Sequence, residues 1–154
     1  MQLFTAITLT TIIAATTAAP TTQNPNHIET IMKRGHETKC RVSSYENDTS
    51  GDSPWVSDCQ TLIKNINDGG TWTLRAGIQR QLAQYGTCAF GAQGTEGLWD
   101  VWVGNGDIVR VMRAAIERFQ TAGGQVGAKG NFDCRYVDPS GDGFTGVEWG
   151  IYTV

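Results

Sequence analysis

The stretch QYGTCAFGAQG, residues 84–94, sets one cysteine among small and aromatic residues, with glycine at close intervals. A reactive thiol or metal ligand at Cys88 makes the chain an enzyme. Half of a disulfide makes it a stapled scaffold that displays a surface. The chain has four cysteines, Cys40, Cys59, Cys88 and Cys134, at wide and irregular spacings without a C-x-x-C. Its histidines are His27 and His36, both ahead of the first cysteine. Zinc and a Cys-His dyad are therefore left without ligands in the body of the chain.

The N-terminus points to an oxidising compartment. MQLFTAITLTTIIAATTAAP carries no charge, is apolar from Leu3 to Ile13 and is then rich in small residues. It reads as a secretory signal peptide over residues 1–19, too short to span a bilayer, with Thr16 and Ala18 where a signal peptidase reads small side chains. Residues 20–34 are polar and proline-containing and end in the dibasic pair Lys33-Arg34, which marks a pro-segment. Residues 35–154 then form a single domain. An even number of cysteines in an exported chain implies two bridges.

Without Glu29, Lys33 and Arg34 the fifteen acids and twelve bases become fourteen and ten, a net charge of about −4. A mildly acidic domain lacks the basic footprint that polyanionic nucleic acid requires. No second apolar run is long enough to cross a membrane, so a monomer without a membrane span is expected.

Ser53-Pro54 reads as a helix start, with Trp55, Cys59, Leu62, Ile63 and Ile66 at helical spacing until Asn67-Asp68-Gly69-Gly70. A second helix, capped by Asn105 or Asp107, carries Ile108, Met112, Ala115, Ile116 and Phe119 on one stripe and stops at Gly123-Gly124. Strands are read at Arg41 to Tyr45, Thr71 to Ala76, Thr87 to Gln93, Leu98 to Val103, Gly127 to Cys134 and Val147 to Val154. The order implies an α+β fold, with two helices packed on one face of a largely antiparallel sheet in a split β-α-β sandwich.

Most chemistry fails on inspection. A Ser-His-Asp triad has only His36 to draw on. GAQGTEG and GGQVGAKG lack the Lys-Ser/Thr of a phosphate loop. Asp138, Ser140 and Asp142 have the spacing of a calcium loop, but Glu148 falls one residue short of the closing ligand, and an Asp/Gly turn is the simpler reading. Glycoside hydrolysis needs two acids across a cleft; Asp58 reads as solvent-facing, Asp107 as a helix cap and Asp133 as an outward strand residue. No catalytic residue, metal or cofactor is expected.

Trp72, Trp99 and Trp149 share strand parity with aliphatic residues and read as core. Trp102 shares its face with Asp100 instead, an outward pair suited to a sugar or protein partner. Asn47-Asp48-Thr49 is an N-glycosylation acceptor in a polar loop, so Asn47 is expected to carry a glycan.

Four segments carry a resemblance: SPWVSDCQTLIKNINDGGTWTL (53–74), RQLAQYGTCAFG (80–91), VGNGDIVRVMRAAIERF (103–119) and VGAKGNFDC (126–134). Together they resemble the necrosis-inducing factor domain of fungal secreted effectors, the Ecp-type effector family, over roughly residues 40 to 134. D-C before an apolar helix, G-T-W, Y-G-T-C-x-F, N-x-D-I before a helix and G-x-K-G-x-x-x-C are specific as a set. The resemblance implies a fungal protein exported to the space around plant cells that acts in virulence and can provoke host necrosis, and the reading adopted with it is a non-enzymatic effector that binds a host protein or glycan through its surface. It supplies no catalytic residues. A killer-toxin-like antimicrobial protein and a small wall-active hydrolase are the alternative readings.

The cysteine pairing rests on geometry. Loop entropy gives sums of roughly 8 kcal/mol for Cys59 with Cys88 plus Cys40 with Cys134, and roughly 7 for the sequential pairing, too close to choose. Cys59 lies on the stripe with Trp55 and Leu62, and Cys88 shares a strand face with Phe90, so the two face each other. In a split β-α-β sheet Cys40 then lies near Cys134. Both pairs then come within the reach of a disulfide, and this pairing is the one expected of the three connectivities that four cysteines allow.

N-terminal sequencing of the secreted protein should find Gly35 first, because a protease reaches the polar tract ending at Arg34. A start at Ala19 or Pro20 would remove the pro-segment.

Overall fold

The computed structural model describes residues 38–95, 97, 100–138 and 141–154. The signal peptide, the pro-segment with Lys33 and Arg34, and Trp99 lie outside the described residues. The elements in chain order are β1 (Cys40–Val42), β2 (Glu46–Asn47), α1 (Val56–Ile66), β3 (Thr71–Leu74), β4 (Arg80–Tyr85) and β5 (Cys88–Gly94), then β6 (Val101–Gly104), α2 (Asn105–Phe119), β7 (Ala128–Asp138) and β8 (Gly141–Thr153).

One sheet runs β3-β6-β7-β8-β5-β4, with β1 and β2 also paired to β7. Every pairing between named strands is antiparallel. The fold is α+β, but its sheet is curled. Just beyond β3, Ala76 forms a parallel bridge with Gly94 at the end of β5, and the Gly77 N–H donates to the Gly94 carbonyl at 2.8 Å. That contact draws two distant strands together into a nearly closed barrel. The cause lies in β7 and β8, eleven and thirteen residues long, because strand twist accumulates with length. The expected split β-α-β crossover is absent, since α2 joins β6 to β7 and these two run antiparallel as neighbours.

The core sits between the helices and the inner sheet face. Val56, Cys59, Leu62 and Ile63 are buried on α1, which packs on β4 and β5, while α2 packs on β6, β1 and α1. The hub is Trp149. Its ring stacks on Phe90 at 6.2 Å, tilts against Phe132 at 5.9 Å and takes the edge of Tyr45 at 5.6 Å. Such arrangements contribute beyond buried area. Its Nε1 is buried without a hydrogen-bond partner.

Two sequence readings change. Trp55 does not continue the buried stripe: the helix begins at Val56 and Trp55 is 49% exposed at its cap. Its backbone N–H is taken by Thr87 Oγ1 at 3.0 Å, which holds the residue at the surface. RQLAQY forms a strand that its polarity conceals, since Leu82 is its one buried side chain.

Two glycines of the paired strands β7 and β8 separate packing from open space. A Cβ on Gly130 would meet the Ser44 carbonyl and stand 2.7 Å from Trp149 Cζ2, whereas on Gly150 its nearest neighbours lie at 3.9 Å. Gly130→Ala is expected to cost about 1–3 kcal/mol in urea unfolding, and Gly150→Ala to stay within about 0.5 kcal/mol. Equal losses would mean that the Trp149 hub tolerates repacking.

Candidate binding surface

The residues with chemical potential divide into those committed to the scaffold and those free on the surface. The first commitment is a clasp between α1 and the β4–β5 turn. Cys59 bonds Cys88 with Cα atoms 5.2 Å apart. One residue earlier on each side, Asp58 Oδ2 accepts the Thr87 N–H at 2.9 Å and the Thr87 hydroxyl at 2.8 Å. Gly86 supplies the turn with φ +54°, and a Cβ there would stand 2.5 Å from Asp58 Oδ2. Asp58 is thus half-buried and engaged rather than solvent-facing. The two Thr87 hydrogen bonds hold its carboxyl below the ordinary value of 3.8.

The second commitment surrounds Asp107, at the third position of α2 and fully buried. Its Oδ2 accepts the Lys39 N–H at 2.7 Å and the Gly104 N–H at 3.0 Å, and its Oδ1 faces Arg110 at 2.9 Å. The same Arg110 donates to the Cys40 carbonyl at 2.9 Å. Burial pushes the Asp107 carboxyl upward, opposed by these donors and by the guanidinium. Asp107 therefore ties the helix start to the strand that carries the Cys40–Cys134 bridge.

Asn105 is spent in the same way. Its amide donates to the Ile66 and Gly69 carbonyls at 2.9 and 2.8 Å, closing the end of α1, and accepts Trp72 Nε1–H at 2.6 Å. Sequence reading took Asp107 for a cap but did not see that it is buried, because a capping acid and a buried acid look alike in sequence.

Among the candidates read from the sequence, Trp102 is half-buried on β6 opposite Thr73. Asp100 is exposed and faces Arg75 at 3.7 Å, an open pair worth at most about 1 kcal/mol. Asn47 is exposed on β2, and its Oδ1 accepts the Thr49 N–H at 3.0 Å. Residues Asp138 and Gly141 face each other across the β7–β8 hairpin. Among the described residues no three His, Cys, Asp or Glu side chains converge to hold a metal, and no helix is long and apolar enough to cross a membrane.

The outer face of β5, β8 and β7 carries a groove of about 410 Å³ lined by Gln79, Gln93, Asn131, Lys129, Glu46 and Glu148. Inward residues Val147, Trp149 and Ile151 alternate with outward Glu148, Gly150 and Tyr152 along β8. Register places Gln93 and Asn131 on either side of Glu148, and Gly91 and Lys129 on either side of Gly150. Trp102 lies elsewhere, since β6 meets β7 at Tyr136. Sequence reading missed this groove. Its signal was the alternation Gly146, Glu148, Gly150, Tyr152 on one strand face, hidden because the partners come from other strands.

Residues 39–134 match the Hce2 family, described as "Pathogen effector; putative necrosis-inducing factor". The chain is 45% identical over 119 residues to "Probable chitinase LysM18" of Penicillium expansum, covering 75% of this chain and 8% of that protein. It is 33% identical over 95 residues to "Secreted chitinase LysM12" of the same organism, covering 60% and 6%. The chain thus spans under a tenth of the length of either relative.

Asp58 makes the clasp sensitive to acid. Its folded value lies below the unfolded 3.8, so the stability it contributes is complete above that value and is lost as pH falls through the folded one. In unfolding measurements from pH 6 to pH 2, the advantage of the native protein over Asp58→Asn should shrink below about pH 4. A constant difference would show that the carboxylate charge is not what holds Thr87.

Proposed function

This chain belongs to the pathogen effector family of necrosis-inducing factors, and from that premise we propose that it is exported by a fungus and binds a host target at the plant cell exterior, without catalysis. The observation that carries this reading is the fate of its motif residues. Asp58, Thr87, Asn105 and Asp107 hold helices and strands together, which leaves the outer surface to meet a partner. Removal of residues 1–19 and cleavage after Arg34 belong to the same reading, as does a glycan on the exposed Asn47.

A second reading has its own support. Both relatives carry "chitinase" in their names, and the matched region is a small part of each. A domain attached to such proteins suits action on the wall of a competing microbe, as a toxin-like protein or a wall-active hydrolase. Growth inhibition of microbes and sugar release from wall polymers test those two outcomes.

Infiltration of the pure protein into leaves tests the effector reading, with a host response as the expected result. Trp102→Ala should weaken partner capture from host extracellular fluid while changing stability little. Trp72→Ala should do the reverse, because it breaks the bond to Asn105. Equal destabilisation of both variants would make Trp102 a structural residue and remove it from the contact surface.

A further inference from the structure

Resting on the reading that this chain acts by binding, we propose that the groove over β5, β8 and β7 is a site for a neutral oligosaccharide, which lies against Tyr152 and is held by Gln93, Glu148 and Asn131. An aromatic ring beside the groove, packed over its lining residue Gly91, makes the first part of the case. Tyr152 Cε1 and Oη lie 2.9 Å from where a Gly91 Cβ would stand, and its Cδ1 lies 3.9 Å from that of Gly150. The ring therefore lies along the sheet over Gly91, where a side chain would lift it, and beside Gly150, where the space is open. Its hydroxyl donates to Gln81 Oε1 at 3.4 Å, which pins the far end. A half-buried aromatic ring held flat beside a groove offers an apolar face to the C–H side of a sugar.

The walls make the second part. Gln79, Gln93 and Glu148 have no protein partner for their side chains among the described residues. Each amide can donate and accept at once, and a carboxylate accepts from two donors, which matches the paired hydroxyls of a sugar ring. Asn131 already spends its amide N–H on Ser44 Oγ at 3.2 Å, so its oxygen is the part left for a ligand. The volume is that of a small-molecule site.

Charge excludes the rivals. A polyanion would face Glu46 and Glu148, while the groove's lysine, Lys129, is held by Asp48 at 3.2 Å. An apolar segment would bury Gln93 and Glu148 without hydrogen-bond partners, which is strongly unfavourable. A basic peptide is the remaining competitor, and it would depend on the charge of Glu148. A neutral sugar depends on its oxygens alone.

The test is titration of the full secreted chain, by calorimetry and by backbone amide shifts. The probes are the tetramer of N-acetylglucosamine, a β-1,3-glucan tetramer and a tetralysine peptide. At least one sugar should bind, with shifts centred on Gln93, Glu148 and Tyr152. Tyr152→Ala and Gln93→Ala should weaken it tenfold or more, and Gly150→Leu, which fills the open floor, should abolish it at an unchanged unfolding midpoint. Glu148→Gln, which keeps one acceptor oxygen and loses the other, should weaken sugar binding by less than Tyr152→Ala does. Binding of tetralysine alone, lost in Glu148→Gln, would overturn the proposal, as would sugar binding indifferent to Gly150→Leu. Shortened sugars in the titration cell would replace binding by hydrolysis and equally overturn it. The leaf response, measured on the same variants, is a separate readout: its failure with sugar binding intact counts against the effector reading and not against the groove.

Discussion

The clasp between Asp58-Cys59 and Thr87-Cys88 is the constraint on which the rest of the structure depends. A disulfide alone fixes a distance and leaves rotation about it. The paired Asp58 to Thr87 hydrogen bonds, one residue away on both chains, remove that rotation. With α1 held in one orientation, Leu62 and Ile63 face the core beneath β5. Closing the 29-residue separation restricts the unfolded chain by about 4 kcal/mol, a large share of the stability of a small domain. Thr87 extends the clasp further: its hydroxyl accepts the Trp55 N–H, and its carbonyl accepts the Val154 N–H at 3.3 Å. The start of the first helix and the end of the last strand thus meet at one residue.

A second knot closes the other side of the sheet. Cys40 and Cys134 are direct partners in the β1–β7 register, and their bridge spans 94 residues. Asp107 reaches the same place from α2 through Lys39 and Arg110. Its burial costs free energy that three donors offset, so its value is positional: it fixes where α2 begins relative to the first strand. The two acids respond to pH in opposite directions. Acidification removes the stabilising charge of Asp58 and relieves the buried charge of Asp107.

These knots explain why the motif pieces carry a family resemblance without naming a site. D-C and G-T-C are the two halves of the clasp, N-x-D-I places Asn105 and Asp107, and the second glycine of G-x-K-G-x-x-x-C makes room for Trp149. Each describes how the inner face and its helices lock together. The outer face of β5, β8 and β7 takes no part in that locking, which leaves Gln93 and Glu148 there without a side-chain partner among the described residues.

Much of this was legible in residue order. The apolar stripes of both helices are local, set by side chains three and four positions apart, and the structure buries Cys59, Leu62, Ile63, Ile108, Met112 and Ala115 on them. Strand parity likewise places Cys88 with Phe90 and Trp149 with Ile151 on buried faces, and the bridge Cys59–Cys88 joins the cysteines that stripe and parity turn towards each other; Cys40 and Cys134 are bridged as register partners of β1 and β7, without the split β-α-β crossover from which that pair is expected. What residue order could not contain is everything made by strands distant in sequence. β4 is too polar to show itself until Leu82 finds α1, and the closure at Ala76 and Gly94 arises from twist summed along β7 and β8. The groove is assembled from Glu46, Gln93, Asn131 and Glu148, brought together by register alone. Local periodicity reports which way a side chain turns; only the paired sheet decides which side chains it stands beside.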